Sequence, residues 1–335
     1  MSVPFVSVER ASKRFVRPAE LGDRIVARIA GRRAVPEVVH AVTDVSLEVA
    51  AGEWLGLVGE SGCGKSTLGR LVAGVYVPDE GCATIAGAPV ARYDGGRVAK
   101  LTTRVQMIHQ DPFASLNPRL RVGETIIEGP RAHGLVRRGD EAEFVVDLMG
   151  KVGLDPGYAR RLPHQFSGGQ RQRIAIARAL AMRPDVIVAD EPVASLDVSV
   201  QAQVLNLFLD LKNALGLAAL FISHDIGVVR HVCRRIAIMY LGRVVETGPA
   251  IEVTAKPEHP YTRALMASVP RVGGVRGDFQ PITGEIPSPL DPPRGCAFHP
   301  RCPVAGPRCR SETPKLAAIA ADRDAACHIH SGGVG

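Results

Sequence analysis

The sequence predicts an α/β domain built on a mostly parallel sheet, with a small irregular segment after it, and three observations lead there. Short apolar runs that read as strands, at 54–58, 105–108, 186–189, 219–222 and 236–240, alternate with helical patterns at 65–75, 168–181 and 200–215. Such alternation favours parallel pairing, because each helical crossover returns the chain to the same sheet edge and covers a face. A Gly-rich turn joins strand to helix at 59–67. Beyond about residue 250 Pro and Gly become frequent and four cysteines gather.

The elements follow in chain order. Residues 3–8 read as a short strand that 10–15 continue to an edge. The stretch 17–36 carries Arg17, Arg24, Arg28, Arg32 and Arg33 among few acids. It reads as a solvated loop or loose hairpin, with contact to anionic lipid as the alternative. The segment 111–163 lacks strand signals and reads as a helical insertion into the sheet. After residue 249 one good helix is expected, at 259–269. The boundaries are therefore set at 1–250, with a helical subdomain about 111–167, and 251–335.

Composition narrows the function classes. A chain of 335 residues, 46% hydrophobic and 22% charged, supports one large core plus an appendage. The net charge of +7 comes from 41 basic against 34 acidic residues, and the basic ones are scattered. That pattern fits a mild bias toward anions or a membrane surface better than dedicated nucleic-acid binding. No apolar run approaches the ~18 residues of a spanning helix, and residues 1–13 show no secretory pattern. A membrane role must then come through partners. Of seven cysteines, Cys296, Cys302, Cys309 and Cys327 lie in the last 40 residues. Without an export signal, such a cluster suggests a metal more than disulfides.

The strongest motif is Gly59-Glu60-Ser61-Gly62-Cys63-Gly64-Lys65-Ser66-Thr67, which fits G-x-x-x-x-G-K-S/T between a strand and a helix. Its glycines let successive N–H groups face phosphate oxygens, and the helix adds its positive end. Lys65 is placed to reach the β- and γ-phosphates and Ser66 to ligate Mg2+. Downstream, the apolar run 186–189 ends in Asp190 and Glu191. A buried strand would deliver Asp190 to the Mg2+ and Glu191 to the attacking water. These two motifs together mark a phosphate-loop ATPase or GTPase.

Phe166-Ser167-Gly168-Gly169-Gln170, ending 20 positions before Asp190, resembles the signature sequence of ABC ATPases, with Phe in place of the usual Leu. Serine and two glycines opening a helix form a second anion-binding end; the plainer alternative is a turn that merely caps its helix. The resemblance covers residues 3 to about 250. It implies a parallel-sheet core, an antiparallel β subdomain and a helical signature subdomain, with the signature capping a γ-phosphate held by the opposite subunit of a head-to-tail dimer. It also implies that Gln110 senses Mg2+ and the attacking water, that His224 contacts the γ-phosphate, and that Phe15 stacks on adenine. For Phe15 an edge-strand core role is the alternative. Leu196-Asp197 resembles the dimer-contact loop, although the preceding Ala194-Ser195 departs from the Ser-Ala of many relatives.

Three further stretches, 110–119, 259–270 and 284–296, resemble the oligopeptide/dipeptide importer ATPases, closest to their F-type subunit. That resemblance implies a D-type ATPase partner, two membrane permeases, an external binding protein and a peripheral place on the cytoplasmic face of a bacterial inner membrane. Nickel, glycoside or opine-like cargo is the alternative, and a non-transport ABC ATPase a further one. Spacings of five, six and 17 residues between the four cysteines match neither a zinc knuckle nor common ferredoxins. The resemblance favours a 4Fe–4S cluster on Cys296, Cys302, Cys309 and Cys327, zinc being the alternative, with His299, His328 and His330 as substitute ligands. No link between this tail and the phosphate chemistry is expected.

Overall fold

A computed structural model describes residues 4–18, 29, 31, 36–268 and 284–330. Most of the basic stretch 17–36, including Arg24, Arg28, Arg32 and Arg33, lies outside the described residues. So does the end of the helix expected at 259–269.

The chain opens with β1 (Val6–Arg17) and β2 (Glu37–Val49), then the core strand β3 (Trp54–Val58) and helix α1 (Lys65–Val72). Four short strands follow, β4 (Glu80–Ile85), β5 (Ala88–Pro89), β6 (Ala91–Asp94) and β7 (Arg97–Lys100), and then β8 (Val105–Ile108). Helices α2 (Pro112–Ser115), α3 (Val122–Ala132), α4 (Glu141–Lys151) and α5 (Gly168–Ala181) lead to β9 (Val186–Asp190). Next come α6 (Val198–Leu215), β10 (Ala218–Ser223), α7 (Ile226–Val232), β11 (Arg235–Tyr240) and β12 (Arg243–Pro249). The last elements are α8 (Ala250–Ala255), α9 (Pro260–Ala267), α10 (Pro307–Ser311), β13 (Ala317–Ala320) and β14 (Arg323–Ala325).

The main sheet runs β13-β14-β12-β11-β3-β10-β9-β8, with β8, β9, β10, β3 and β11 mutually parallel. A second, antiparallel sheet has the order β2-β1-β4-β5. Strand periodicity splits the apolar residues between two cores. Trp54, Phe221, Ile236 and Ile238 face the helical insertion, while Leu55, Leu57, Leu220 and Ile222 face α1 and the antiparallel sheet. On the first face, a Cβ at Gly56 would stand 2.0 Å from the Val229 Cγ1, so only glycine lets α7 approach β3 this closely.

The C-terminal region departs from an expectation. Among the described residues the small irregular Cys-rich segment does not stand apart from the ATPase sheet. Instead β14 pairs with β12 and carries β13 with it, so the tail extends the main sheet. Phe298 and Tyr261 bury their rings in the same core as Trp54 and Phe221. The seam holds a buried ion pair: Arg323 Nη2 donates to Glu246 Oε1 at 2.9 Å, and Glu246 has no exposed surface. The backbone N–H groups of Glu258 and His259 donate to the same carboxylate at 3.0 and 2.9 Å. Helix α8 and strands β13 and β14 were not foreseen, because 250–255 is too short for a periodic signal and 317–325 reads as an Ala-rich loop.

Arg323→Met should therefore cost about 3–5 kcal/mol of folding stability, since it strands a buried carboxylate. Equilibrium denaturation measures this, and a loss below about 1 kcal/mol would contradict the account.

Candidate functional site

Parallel register places the functional side chains. Ser223 lies opposite Val58, Ile222 opposite Asp190, and Ile108 opposite Ala189, so four strands end level with one another. In open α/β sheets the crevice beyond the carboxyl ends of the strands is where ligands bind. Here the ends of β3, β8, β9 and β10 deliver Gly59, Gln110, Glu191 and His224 to one edge.

The loop 59–67 is curled tightly. Gly62 and Gly64 have φ of +78° and +104°, and a Cβ at Gly64 would stand 2.1 Å from the Ala41 carbonyl oxygen. Lys65 is only 4% exposed, and its Nζ donates to the carbonyl oxygens of Gly59 and Glu60, both at 2.8 Å. Cys63, the variable position of the loop, is buried, and that burial pushes its thiol up despite the neighbouring lysine. Ser61 is exposed and Thr67 half-buried within α1.

Two side-chain groups adjoin this loop. Ser66 Oγ donates to Asp190 Oδ1 at 2.9 Å. Burial pushes the Asp190 carboxyl up, with the Ser66 hydrogen bond pulling the other way. A buried carboxylate held beside a hydroxyl is an oxygen pair of the type that a hard divalent cation takes up. In the second group, Gln110 Nε2 donates to Glu191 Oε2 at 3.2 Å, and His224 Nδ1 lies 3.2 Å from the same oxygen. Glu191 has a φ of +47°, an uncommon conformation for this residue type, and its N–H is tied to the Ile222 carbonyl at 3.0 Å. That turn separates Glu191 from Asp190, so two consecutive carboxylates reach different partners.

Other expected residues lie apart. Ser167 caps α5 in a reciprocal box with Gln170, at 3.3 and 3.1 Å. Among the described residues no hydrogen bond or ion pair joins Ser167, Gly168, Gly169 or Gln170 to Lys65, Asp190 or Glu191. A Cβ at Gly169 would meet Val200 Cγ1 at 2.3 Å and one at Gly168 would meet Leu196 Cδ2 at 3.4 Å, so the signature packs against the start of α6. Asp197 is the N-cap of α6 without a side-chain capping bond. Phe15 stands edge-on to Tyr76 with centroids 5.3 Å apart, at the half-exposed end of β1.

The four C-terminal cysteines do converge. Cys296, Cys302, Cys309 and Cys327 line one cavity of about 20 Å³, walled by Phe298, Val304 and Ile329. Among the described residues no disulfide joins any of the four. Burial pushes Cys296 up to about 11 and also raises Cys302 and Cys327, with charge from neighbouring thiols adding to each. Among the described residues, no group of three or more His, Cys, Asp or Glu side chains is placed to hold a single metal ion. The histidines offered as substitutes have backbone partners: His299 Nδ1 lies 3.0 Å from the Cys296 carbonyl and His328 Nε2 2.9 Å from that of Glu312.

A link that the sequence reading excluded is present. Glu60, in the phosphate loop, donates its N–H to the Tyr261 hydroxyl at 2.9 Å, and its carboxylate accepts from Arg301 at 2.9 and 3.3 Å. Tail and loop are thus in direct contact. Nothing in the sequence signals an ion pair across 241 positions.

Gly64→Ala places an L-residue at a φ of +104° against a backbone carbonyl, so it should lower stability by about 1–3 kcal/mol and abolish binding of ATP. Thermal unfolding and equilibrium binding of radiolabelled ATP check both effects; full binding would show that the loop tolerates reshaping.

Known proteins resemble the chain along most of its length. Residues 42–194 match the family model of the ABC transporter, and residues 245–309 match that of the oligopeptide/dipeptide transporter C-terminal region. The oligopeptide transport ATP-binding protein AppF of Bacillus subtilis is 47% identical over 88% of this chain and 90% of its own length. The di/tripeptide transport ATP-binding protein DppF of Pseudomonas aeruginosa is 48% identical over 87% and 90%. Among solved structures, the ATP-binding cassette MJ0796, a post-hydrolysis dimer bound to ADP and Pi, superposes with a TM-score of 0.61 at 26% identity, over 73% of this chain and 98% of that one. The cbiO1 protein of Clostridium perfringens, part of an ABC transporter complex, shares the fold with a TM-score of 0.60 at 24% identity, over 76% and 91%. With a phosphate loop, a paired Ser66–Asp190 and relatives of this identity over nearly the whole chain, the protein belongs to the ABC transporter ATPases that carry the oligopeptide/dipeptide C-terminal region.

Proposed function

We propose that the chain is the ATP-hydrolysing subunit that energises an importer of di- and oligopeptides. The observation that carries the peptide assignment is the match of 245–309 to the oligopeptide/dipeptide C-terminal region, joined to the phosphate loop and the Ser66–Asp190 pair. In this reading Lys65 leaves its loop carbonyls to meet the β- and γ-phosphates, and the N–H groups of 59–67 cradle them. Ser66, Asp190 and Gln110 would hold Mg2+, which when bound would neutralise charge on the phosphates. Glu191 orients and polarises the attacking water, and His224, sharing an oxygen of Glu191, faces the γ-phosphate. Phe15 stacks on adenine, the segment 167–170 serves the phosphate of the opposite subunit, and Leu196 and Asp197 lie at that dimer contact.

The partners are then a second, D-type ATPase, two permeases and an external peptide-binding protein. Among the described residues no helix is long and apolar enough to cross a membrane, in keeping with a peripheral seat on permeases at the cytoplasmic face. For the tail we propose a 4Fe–4S cluster on Cys296, Cys302, Cys309 and Cys327. Four thiols around one cavity support it. Zinc on the same thiols is the alternative. The raised thiols mean that assembly must expel protons.

Glu191→Gln should reduce ATP turnover by about 10²–10⁴-fold while ATP remains bound. Phosphate release and nucleotide retention read this, and undiminished turnover would refute the role given to Glu191. A host carrying that variant should lose uptake of labelled di- and tripeptides with nickel and glycoside uptake unchanged; the reverse pattern selects non-peptide cargo. Chain purified without oxygen should contain about four irons and four sulfides, and stoichiometric zinc or no metal would remove the cluster assignment.

A further inference from the structure

Glu60 is an acidic residue inside a loop built for anions, and the structure fastens it at three points. Its N–H donates to Tyr261 Oη at 2.9 Å. Its carboxylate accepts a forked pair of bonds from Arg301, Nη1 to Oε2 at 2.9 Å and Nη2 to Oε1 at 3.3 Å. Its carbonyl oxygen accepts from Lys65 Nζ at 2.8 Å. Two of the three fastenings come from the C-terminal extension, from pieces well separated in sequence. Arg301 keeps only 4% of its side chain exposed, with Nη1 3.5 Å from the Tyr240 hydroxyl. Around it Tyr240, Tyr261 and Phe298 pack ring against ring, with centroids 4.6–5.5 Å apart. The guanidinium therefore meets Glu60 from a buried seat beside the Tyr240 ring.

The electrostatics give this clamp a purpose. An uncompensated carboxylate beside the seat of a triphosphate would oppose every phosphate charge brought in. A bidentate Arg cancels that charge and fixes its position. Holding the Glu60 N–H and carboxylate also presets the curve of the loop, so less ordering remains to be done when nucleotide arrives.

We infer that Arg301 and Tyr261 are positioning residues for ATP, acting through Glu60 to neutralise and preshape the phosphate loop. The inference rests on the reading of 59–67 as the nucleotide site. Arg301 also closes the turn that separates Cys296 from Cys302, so the clamp is anchored in the wall of the cysteine cavity. The C-terminal extension thereby becomes a working part of the nucleotide site.

The test is equilibrium binding of MgATP and steady-state hydrolysis by the full chain. Arg301→Met should weaken MgATP binding about tenfold and raise KM with kcat largely kept, the mark of lost ground-state binding. Arg301→Lys should recover part of the affinity, and the double variant Glu60→Gln/Arg301→Met should recover most of it, because the unpaired charge is gone. Unchanged affinity in Arg301→Met overturns the proposal, as does a weakening relieved neither by Arg301→Lys nor by the added Glu60→Gln. Should Arg301→Met not fold, Tyr261→Phe decides: it keeps the ring packing and removes the acceptor for the Glu60 N–H. A several-fold weaker affinity supports the clamp and a wild-type affinity refutes it. Wild-type chain that binds MgATP no better than Lys65→Ala would instead bring down the nucleotide-site reading itself.

Discussion

A lysine ammonium shut away from water must find acceptors, and at Lys65 the loop supplies its own. Bonds to the carbonyls of Gly59 and Glu60 hold the curl closed and keep the buried charge solvated by dipoles. The rest of the site is arranged around that curl. Gly64 must turn left-handed where Ala41 leaves no room for a side chain, α1 starts at the end of the curl, and Ser66 at its first turn meets Asp190.

Neighbouring strands contribute by ending level. Because β3, β8, β9 and β10 are parallel and in register, four residues far apart in sequence become neighbours without any long side chain having to stretch. The strained turn at Glu191 then divides labour between adjacent acids. Asp190 stays buried against Ser66, while Glu191 swings to Gln110 and His224. Burial raises the Asp190 carboxyl, and the Ser66 hydrogen bond opposes that shift.

Much of this was legible from the chain alone, for physical reasons. The strands at 54–58 and 186–189 are continuous apolar runs because both faces of that sheet are covered, and α5 begins where Ser167 and Gln170 form a capping pair. The chemistry of Lys65, Ser66 and Asp190 is encoded locally, by loop, helix start and strand end. What escaped was non-local. Strands 317–320 and 323–325 are too short and too Ala-rich to announce themselves, and they exist because β12 offers an edge. The bonds from Arg301 and Tyr261 to Glu60 depend on two tail segments folding back onto the loop, which no periodicity records. The signature residues could be read by motif, yet within one chain they cap a helix and pack on Leu196 and Val200.

The pairing of β14 with β12 bears on how this protein can be divided. A chain cut after residue 249 would keep the loop 59–67 together with Asp190, Glu191 and His224, but it would bare the edge of β12, open to pairing with other chains. It would also leave Glu246 with neither the guanidinium nor the two backbone donors that now surround it. Apolar rings from the tail would vanish from the interior beneath Tyr240. The catalytic module and its extension are in this sense one folding unit, and insertions, fusions or shortened versions have to respect a seam that lies inside the sheet rather than at its border.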